Sequence, residues 1–214
     1  MKIQMNKGYF ISFEGPDGAG KSTQIEYLRQ YLEEKGLDSL FTREPGGTRI
    51  GEQIREMLLD KENSDMTARA EALLYNASRA ELVEKVIQPA LDEDKIVVCD
   101  RYIDSSIAYQ GFGRGLGTKV TEVSKFAVKN LEPDLTFLLM ISPEDVKDRL
   151  DQDNLDRLES EDFEFKKRVL EGFESVAEEY RFRVRVIDAT LPKEEIRDMI
   201  IKEIEWHFRK RGII

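Results

Sequence analysis

The sequence predicts an α/β protein with a five-stranded parallel sheet flanked by helices, and three observations carry that prediction. Short apolar runs without polar alternation recur along the chain, as suits strands covered on both faces. Stretches with helical spacing separate these runs. A glycine-rich loop, Gly15-Pro16-Asp17-Gly18-Ala19-Gly20-Lys21-Ser22-Thr23, joins the first run to the first helix. It has the form of a phosphate-binding loop between a strand and a helix.

The elements follow in order. Gly8 to Phe13 reads as the first strand. The helix after the loop carries Ile25, Leu28 and Leu32 on one face and ends near Lys35-Gly36, where glycine is a natural C-cap. Leu37 to Thr42 gives a second strand. Arg49 to Leu59 and Thr67 to Leu91 read as helices, with Pro89 near the end of the latter. Ile96 to Cys99 forms a third strand ending in Asp100. The run from Gly111 to Gly117 is too glycine-rich for a helix and reads as a mobile loop. Asp134 to Ile141 is a fourth strand, and Pro143 starts a helix. A charged helix spans Asp162 to Arg181, and a fifth strand Arg183 to Ile187. Pro192 opens a last helix with Ile196, Ile200, Ile204 and Phe208 at spacings of four.

With 214 residues, 40% of them hydrophobic, the chain suits one domain with a sizeable core. Its formal net charge of -10 is spread along the sequence, which argues against a nucleic-acid partner. One cysteine, Cys99, and one histidine, His207, leave no zinc cluster of those residues. Cys99 reads as a small buried hydrophobe. Met1 to Tyr9 lacks signal-peptide form and no apolar run reaches membrane-spanning length. The expectation is a cytoplasmic protein without a membrane partner.

Ligands on parallel sheets lie at the carboxyl ends of the strands. The phosphate loop, Arg43-Glu44 and Asp100-Arg101 all fall at such ends. In the loop, glycines let backbone amides face phosphate oxygens and the helix start adds free N–H groups. Lys21 should reach the β- and γ-phosphates and Ser22 should ligate Mg2+. Asp100 is a candidate magnesium ligand or proton acceptor, and Arg101 a bidentate phosphate binder. Ser105, Ser106, Tyr109 and Gln110 follow at helical spacings and supply uncharged hydrogen-bonding groups of the kind a base pocket needs. Tyr75 and Arg79 share a helix face. Each of these groups also has a plain structural reading as an ion pair, a core ring or a surface polar residue.

Taken together, three segments resemble the thymidylate kinase family: Phe13 to Thr23, Thr42-Arg43-Glu44-Pro45-Gly46-Gly47, and Asp100 to Gly111. The resemblance implies a P-loop NTPase fold of nucleoside monophosphate kinase type, in one domain spanning residues 1–214 with a short lid insertion around 149–160. It implies transfer of the γ-phosphoryl of ATP to dTMP with Mg2+, by a homodimer. It places Gly15 to Thr23 around the donor phosphates, Asp17 also near the acceptor, Arg43, Arg55 and Arg101 around the acceptor phosphate, and Glu44 nearby in the magnesium and water network. Tyr75 would stack on the base, Arg79 would read a base carbonyl, and Ser106 and Gln110 would meet the base edge. Tyr102 would lie against the deoxyribose and Asp188 beside adenine.

The resemblance also raises a question of charge. Relatives with an arginine in the phosphate loop have it where this chain has Gly18. A cation must meet the transferring phosphoryl; the resemblance is to the bacterial-type subgroup that lacks the loop arginine and carries arginines in the lid, which implies Arg149 and Arg157 as the candidates to act with Lys21 and Arg101. Two other readings stay open: a kinase for another nucleoside monophosphate, and a nucleotide-binding regulatory protein with little turnover.

Overall fold

A computed structural model describes residues 8–146 and 155–214. Strands β1 (Tyr9–Glu14), β2 (Ser39–Arg43), β3 (Ile96–Asp100), β4 (Leu135–Met140) and β5 (Val184–Asp188) form one parallel sheet in the order β2-β3-β1-β4-β5. All six residues of β1 are buried, as a central strand covered on both faces requires. Register brings the carboxyl ends together: Asp100 of β3 lies opposite Phe13 of β1 and opposite Arg43 of β2.

Helices α1 (Lys21–Glu34), α2 (Arg49–Leu59), α3 (Ala68–Leu82), α4 (Gln88–Asp92), α5 (Ile103–Ser106), α6 (Lys119–Ala127), α7 (Pro143–Val146), α8 (Phe163–Glu179) and α9 (Lys193–Arg211) connect and cover the sheet. One core packs α1 and α9 on the sheet, and Ile196, Ile200, Ile204 and Phe208 are all buried in it, as their spacing of four predicts. The second core packs α3, α5 and α8 on the other face. Cys99 is buried and free, as its apolar surroundings predict. No helix among the described residues is long and apolar enough to cross a membrane.

Two sequence expectations change. The helix predicted from Thr67 to Leu91 starts at Ala68, with Thr67 as its cap, and widens into a π-helical turn over Val83–Ile87. That turn lies ahead of Pro89, whose missing N–H interrupts the ordinary ladder. The supposed mobile loop after Gly111 is helical in its first part, because a π-helical segment, Ile107–Gly113, continues α5. Here glycine serves close packing rather than mobility. A Cβ on Gly113 would sit 2.7 Å from the Phe165 ring, and one on Gly172 would sit 2.7 Å from Ala108 Cα. Within the run from Gly111 to Gly117, only Gly115 and Gly117 are turn glycines with positive φ.

Candidate active site

The carboxyl ends of β1, β2 and β3 enclose a cavity of about 410 Å3. Its floor is the loop from β1 to α1, where Gly20 adopts a left-handed conformation with φ of 91° and hands the chain to the helix. Asp17, Gly18, Gly20, Lys21, Ser22 and Thr23 line the cavity. Gly15, Pro16 and Ala19 are not on its wall, and Ala19 is buried. Lys21 Nζ folds back on its own loop and donates to the carbonyls of Gly15 (3.1 Å) and Pro16 (2.8 Å). Burial, with the charge of Arg101, lowers its pKa to about 8 against the pull of Asp17, Asp100 and Glu14.

Arg101 follows β3 in the left-handed region, φ 68°, a strained conformation for a non-glycine residue that persists only where neighbours enforce it. They do so here. Its backbone N–H donates to Phe13 O, and its guanidinium donates to Gly15 O, Ser105 Oγ and Asp17 Oδ1. Tyr109 adds a hydroxyl bond to the other Asp17 oxygen at 2.8 Å. Burial alone would raise the Asp17 pKa, but the charges of Arg101 and Lys21 and the Tyr109 hydroxyl hold it at about 2. Beneath this turn, the buried Glu14 accepts from Tyr102 N–H (2.8 Å) and Ser105 Oγ (2.6 Å). Burial, then the charge of Asp104, pushes its carboxyl up to about 8 despite those bonds.

At the end of β2, Arg43 pairs with Glu52 at 2.9 Å and Arg55 donates to Pro45 O at 2.9 Å; both arginines line the cavity. Among the described residues, the cations on its wall are therefore Lys21, Arg43, Arg55 and Arg101. Glu44 and Asp100 line it too, and each holds one buried carboxylate oxygen, Oε1 and Oδ1, without a partner. Magnesium usually takes one or two carboxylates plus waters and phosphates. Those orphaned oxygens with the Ser22 hydroxyl fit that donor set, while no cluster of three or more His, Cys, Asp or Glu ligands occurs among the described residues.

The far wall is built from α3, the end of α5 and the segment after it. Tyr75, Ser106 and Gln110 line it, and Ser106 Oγ is buried with no partner. Arg79 and Tyr102 stand behind this wall rather than among the residues that line it. Arg79 is 1% exposed and pairs with Glu44 at 2.6 Å, with further bonds to Tyr102 O, Asn76 and Ser124. Tyr102 is fully buried, its ring edge-on to Phe10 and its hydroxyl on Leu131 O. Asp188 is also off the cavity wall, where its carboxylate accepts from the backbone and hydroxyl of Thr190 and holds its own turn.

Arg149 lies outside the described residues. Arg157 is buried behind the cavity wall, with Nη1 2.7 Å from Glu71 and Nε 2.8 Å from Leu58 O, and only Nη2 lacks a partner. In this geometry it ties the returning chain to α2 and α3. The turn it sits on is capped reciprocally: Asp156 Oδ1 accepts from Leu158 and Glu159 N–H, while Glu159 accepts from Asp156 N–H.

Sequence reasoning missed Glu71, Glu14 and the structural part played by Tyr109. A signal for Glu71 existed, since it precedes Tyr75 by four residues and Arg79 by eight on one helix face.

The geometry can be set beside known proteins. The family model for thymidylate kinase matches residues 13–200. A thymidylate kinase of Exiguobacterium sp. is 48% identical over 208 residues, covering 96% of this chain and 98% of the relative. One from Lactobacillus acidophilus is 46% identical over 209 residues, covering 95% and 97%. The crystal structure of thymidylate kinase from Ehrlichia chaffeensis superposes with a TM-score of 0.75 at 33% identity, covering 92% of this chain and 98% of that one.

Proposed function

This chain belongs to the thymidylate kinase family, and from that premise we propose that it transfers the γ-phosphoryl group of ATP to dTMP, releasing dTDP and ADP. The observation that carries the proposal is one cavity with a phosphate loop as floor, four cations among the described residues on its wall, and an unpartnered hydroxyl and an amide on the side opposite. An oxygen of the dTMP phosphate attacks the γ-phosphorus, and the bond to the β–γ bridging oxygen breaks toward ADP. Loop amides and Lys21 hold the donor phosphates, Lys21 leaving the Gly15 and Pro16 carbonyls to do so. Arg43, Arg55 and Arg101 hold the acceptor phosphate, with Asp17 orienting Arg101. Tyr75 stacks on the base, while Ser106 and Gln110 meet its edge.

Ser22, Asp100 and Glu44 would hold Mg2+ directly or through water, and the ion would neutralise charge on the transferring phosphates. With Gly18 in the loop, the charge on the moving phosphoryl falls to Lys21, Arg101 and a lid cation, for which Arg149 is the remaining candidate. The lid is taken as the segment around 149–160. Exposed Leu73 on α3 and Phe126 on α6, 59% and 87% accessible on helices that pack together, support a homodimer through this face. Its substrates are made and used inside the cell, so a cytoplasmic location belongs to the same proposal.

A coupled assay of ADP release with ATP, Mg2+ and a panel of dTMP, dUMP, dCMP and dGMP tests the reading. Turnover led by dTMP is the expected result. Clear preference for another monophosphate would replace the substrate, and nucleotide binding without turnover would replace the activity.

A further inference from the structure

We propose that Glu71, which lines no part of the cavity, is a specificity-determining positioning residue: it fixes which end of the Gln110 amide faces the base. The inference rests on the dTMP reading above.

Glu71 is 0% exposed and Gln110 is 1% exposed. Gln110 Nε2 donates to Glu71 Oε1 at 2.9 Å. The other oxygen, Oε2, takes Arg157 Nη1 at 2.7 Å and Arg114 Nη2 at 3.0 Å. Burial would push this carboxyl up, but the bonds from Arg114 and Gln110, the charge of Arg114 and the Arg157 bond outweigh it and hold the pKa below its ordinary value. Glu71 is therefore an anion, with acceptors only.

Amide orientation is ordinarily ambiguous, because the two ends of a glutamine differ little in shape. Here the chemistry removes the ambiguity. A flipped Gln110 would press its carbonyl oxygen against a carboxylate oxygen in a buried site, two acceptors facing each other where water cannot intervene. So the NH2 end stays on Glu71. The carbonyl end, Oε1, is left for the cavity that Gln110 lines. One turn earlier, the unpartnered Ser106 Oγ lines the same wall.

The wall therefore offers an acceptor from Gln110 beside a hydroxyl that can donate. Thymine carries a ring N–H at its pairing edge and a carbonyl on either side, which matches. Cytosine carries a bare ring nitrogen there, so its lone pair would face the lone pairs of Oε1. A site built around a hydrogen bond rejects the analogue that leaves a buried group unpaired far more strongly than shape alone does. Glu71 thus acts on base choice through a residue it orients.

The test compares kcat/KM for dTMP and dCMP in wild type, Glu71→Gln and Arg114→Met. A neutral amide at 71 can present either end to Gln110, so Gln110 is free to turn. The ratio of dTMP to dCMP efficiency should fall by about tenfold or more in Glu71→Gln. Arg114→Met removes a partner of Glu71 but keeps the Gln110 bond, and should leave the ratio within about twofold while lowering stability. An unchanged ratio in Glu71→Gln overturns the proposal, as does an equal fall in Arg114→Met. If Glu71→Gln does not fold, the side-chain amide protons of Gln110 in the wild-type protein decide by NMR. Slow solvent exchange supports the anchored amide, and exchange as fast as that of a surface glutamine overturns it. That measurement needs no substrate, so it separates failure of this inference from failure of the dTMP reading.

Discussion

Arg157→Met asks whether the arginine at the end of the lid is an anchor or a catalyst. The native guanidinium has 5% side-chain exposure and makes two good contacts, to Glu71 at 2.7 Å and to Leu58 O at 2.8 Å. Methionine keeps the unbranched stem and removes both. A lost hydrogen bond to a charged partner is worth about 1.5–3 kcal/mol, and an unpaired buried carbonyl adds about 1 kcal/mol or more. Breaking a buried ion pair outright costs about 3–5 kcal/mol. That full penalty is not reached, because Glu71 keeps Arg114 and Gln110. The net loss should be about 2–4 kcal/mol, which lowers Tm by roughly 4–16 °C in a chain of this size. Urea and thermal unfolding measure the loss, and steady-state kinetics well below the new Tm measure catalysis. A structural anchor leaves kcat within about threefold, whereas loss of a donor to the transition state lowers kcat by about a hundredfold or more. A variant with wild-type stability and kcat reduced a hundredfold would refute the reasoning and return Arg157 to the reacting phosphoryl.

Other perturbations follow from the same geometry. Gly15→Ala places a Cβ 2.1 Å from Leu139 O at a φ of 130°, and backbone strain with overpacking should cost about 2–6 kcal/mol together; wild-type Tm and activity would contradict this. Lys21 has a pKa of about 8 beside its own carbonyls, and a bound anion favours the charged ammonium. ATP binding near pH 9 should therefore take up protons, read by calorimetry in buffers of different ionisation enthalpy, and a Lys21→Met protein that takes up as many would rule out this lysine as the source. The raised Glu14 value, about 8 against 4.5, means the folded state holds the extra proton between those pH values. Its contribution to stability is complete below about pH 4.5 and is lost as pH rises through about 8. Glu14→Gln should flatten the decline of urea stability across that window, and a slope equal to that of wild type would show that Glu14 does not titrate there.

Much of the framework was legible because it rests on local pattern. Every predicted strand is present within two residues of its expected bounds, since an apolar run in a parallel sheet needs no distant information to be recognised. The spacing of Ile196, Ile200, Ile204 and Phe208 likewise marks the buried stripe of α9. The wall of the cavity was legible at the strand ends and the helix start after β1, where Lys21, Arg43, Asp100 and Arg101 all line it. It was not legible where partners are far apart in sequence. Nothing local says that Arg157 will find Glu71, 86 positions earlier in the numbering, or that Arg79 will be satisfied by Glu44 before any base arrives. The glycines near residue 113 misled for a related reason. Glycine signals freedom when read alone and close contact when a second helix is present, and only the fold supplies α8.

That close contact gives α8 an influence out of proportion to its distance from substrate. Any side chain at Gly172 must displace the backbone at Ala108 or the ring of Phe112, and these belong to the same short segment that carries Gln110 into the cavity. A mutational screen scored on catalysis would therefore flag Gly172 as strongly as a substrate contact. Mutations on the outer face of the same helix would pass unnoticed. The tolerance map of this enzyme should follow where helices touch, and a small molecule wedged between α8 and its neighbour would blunt base recognition without competing for either nucleotide.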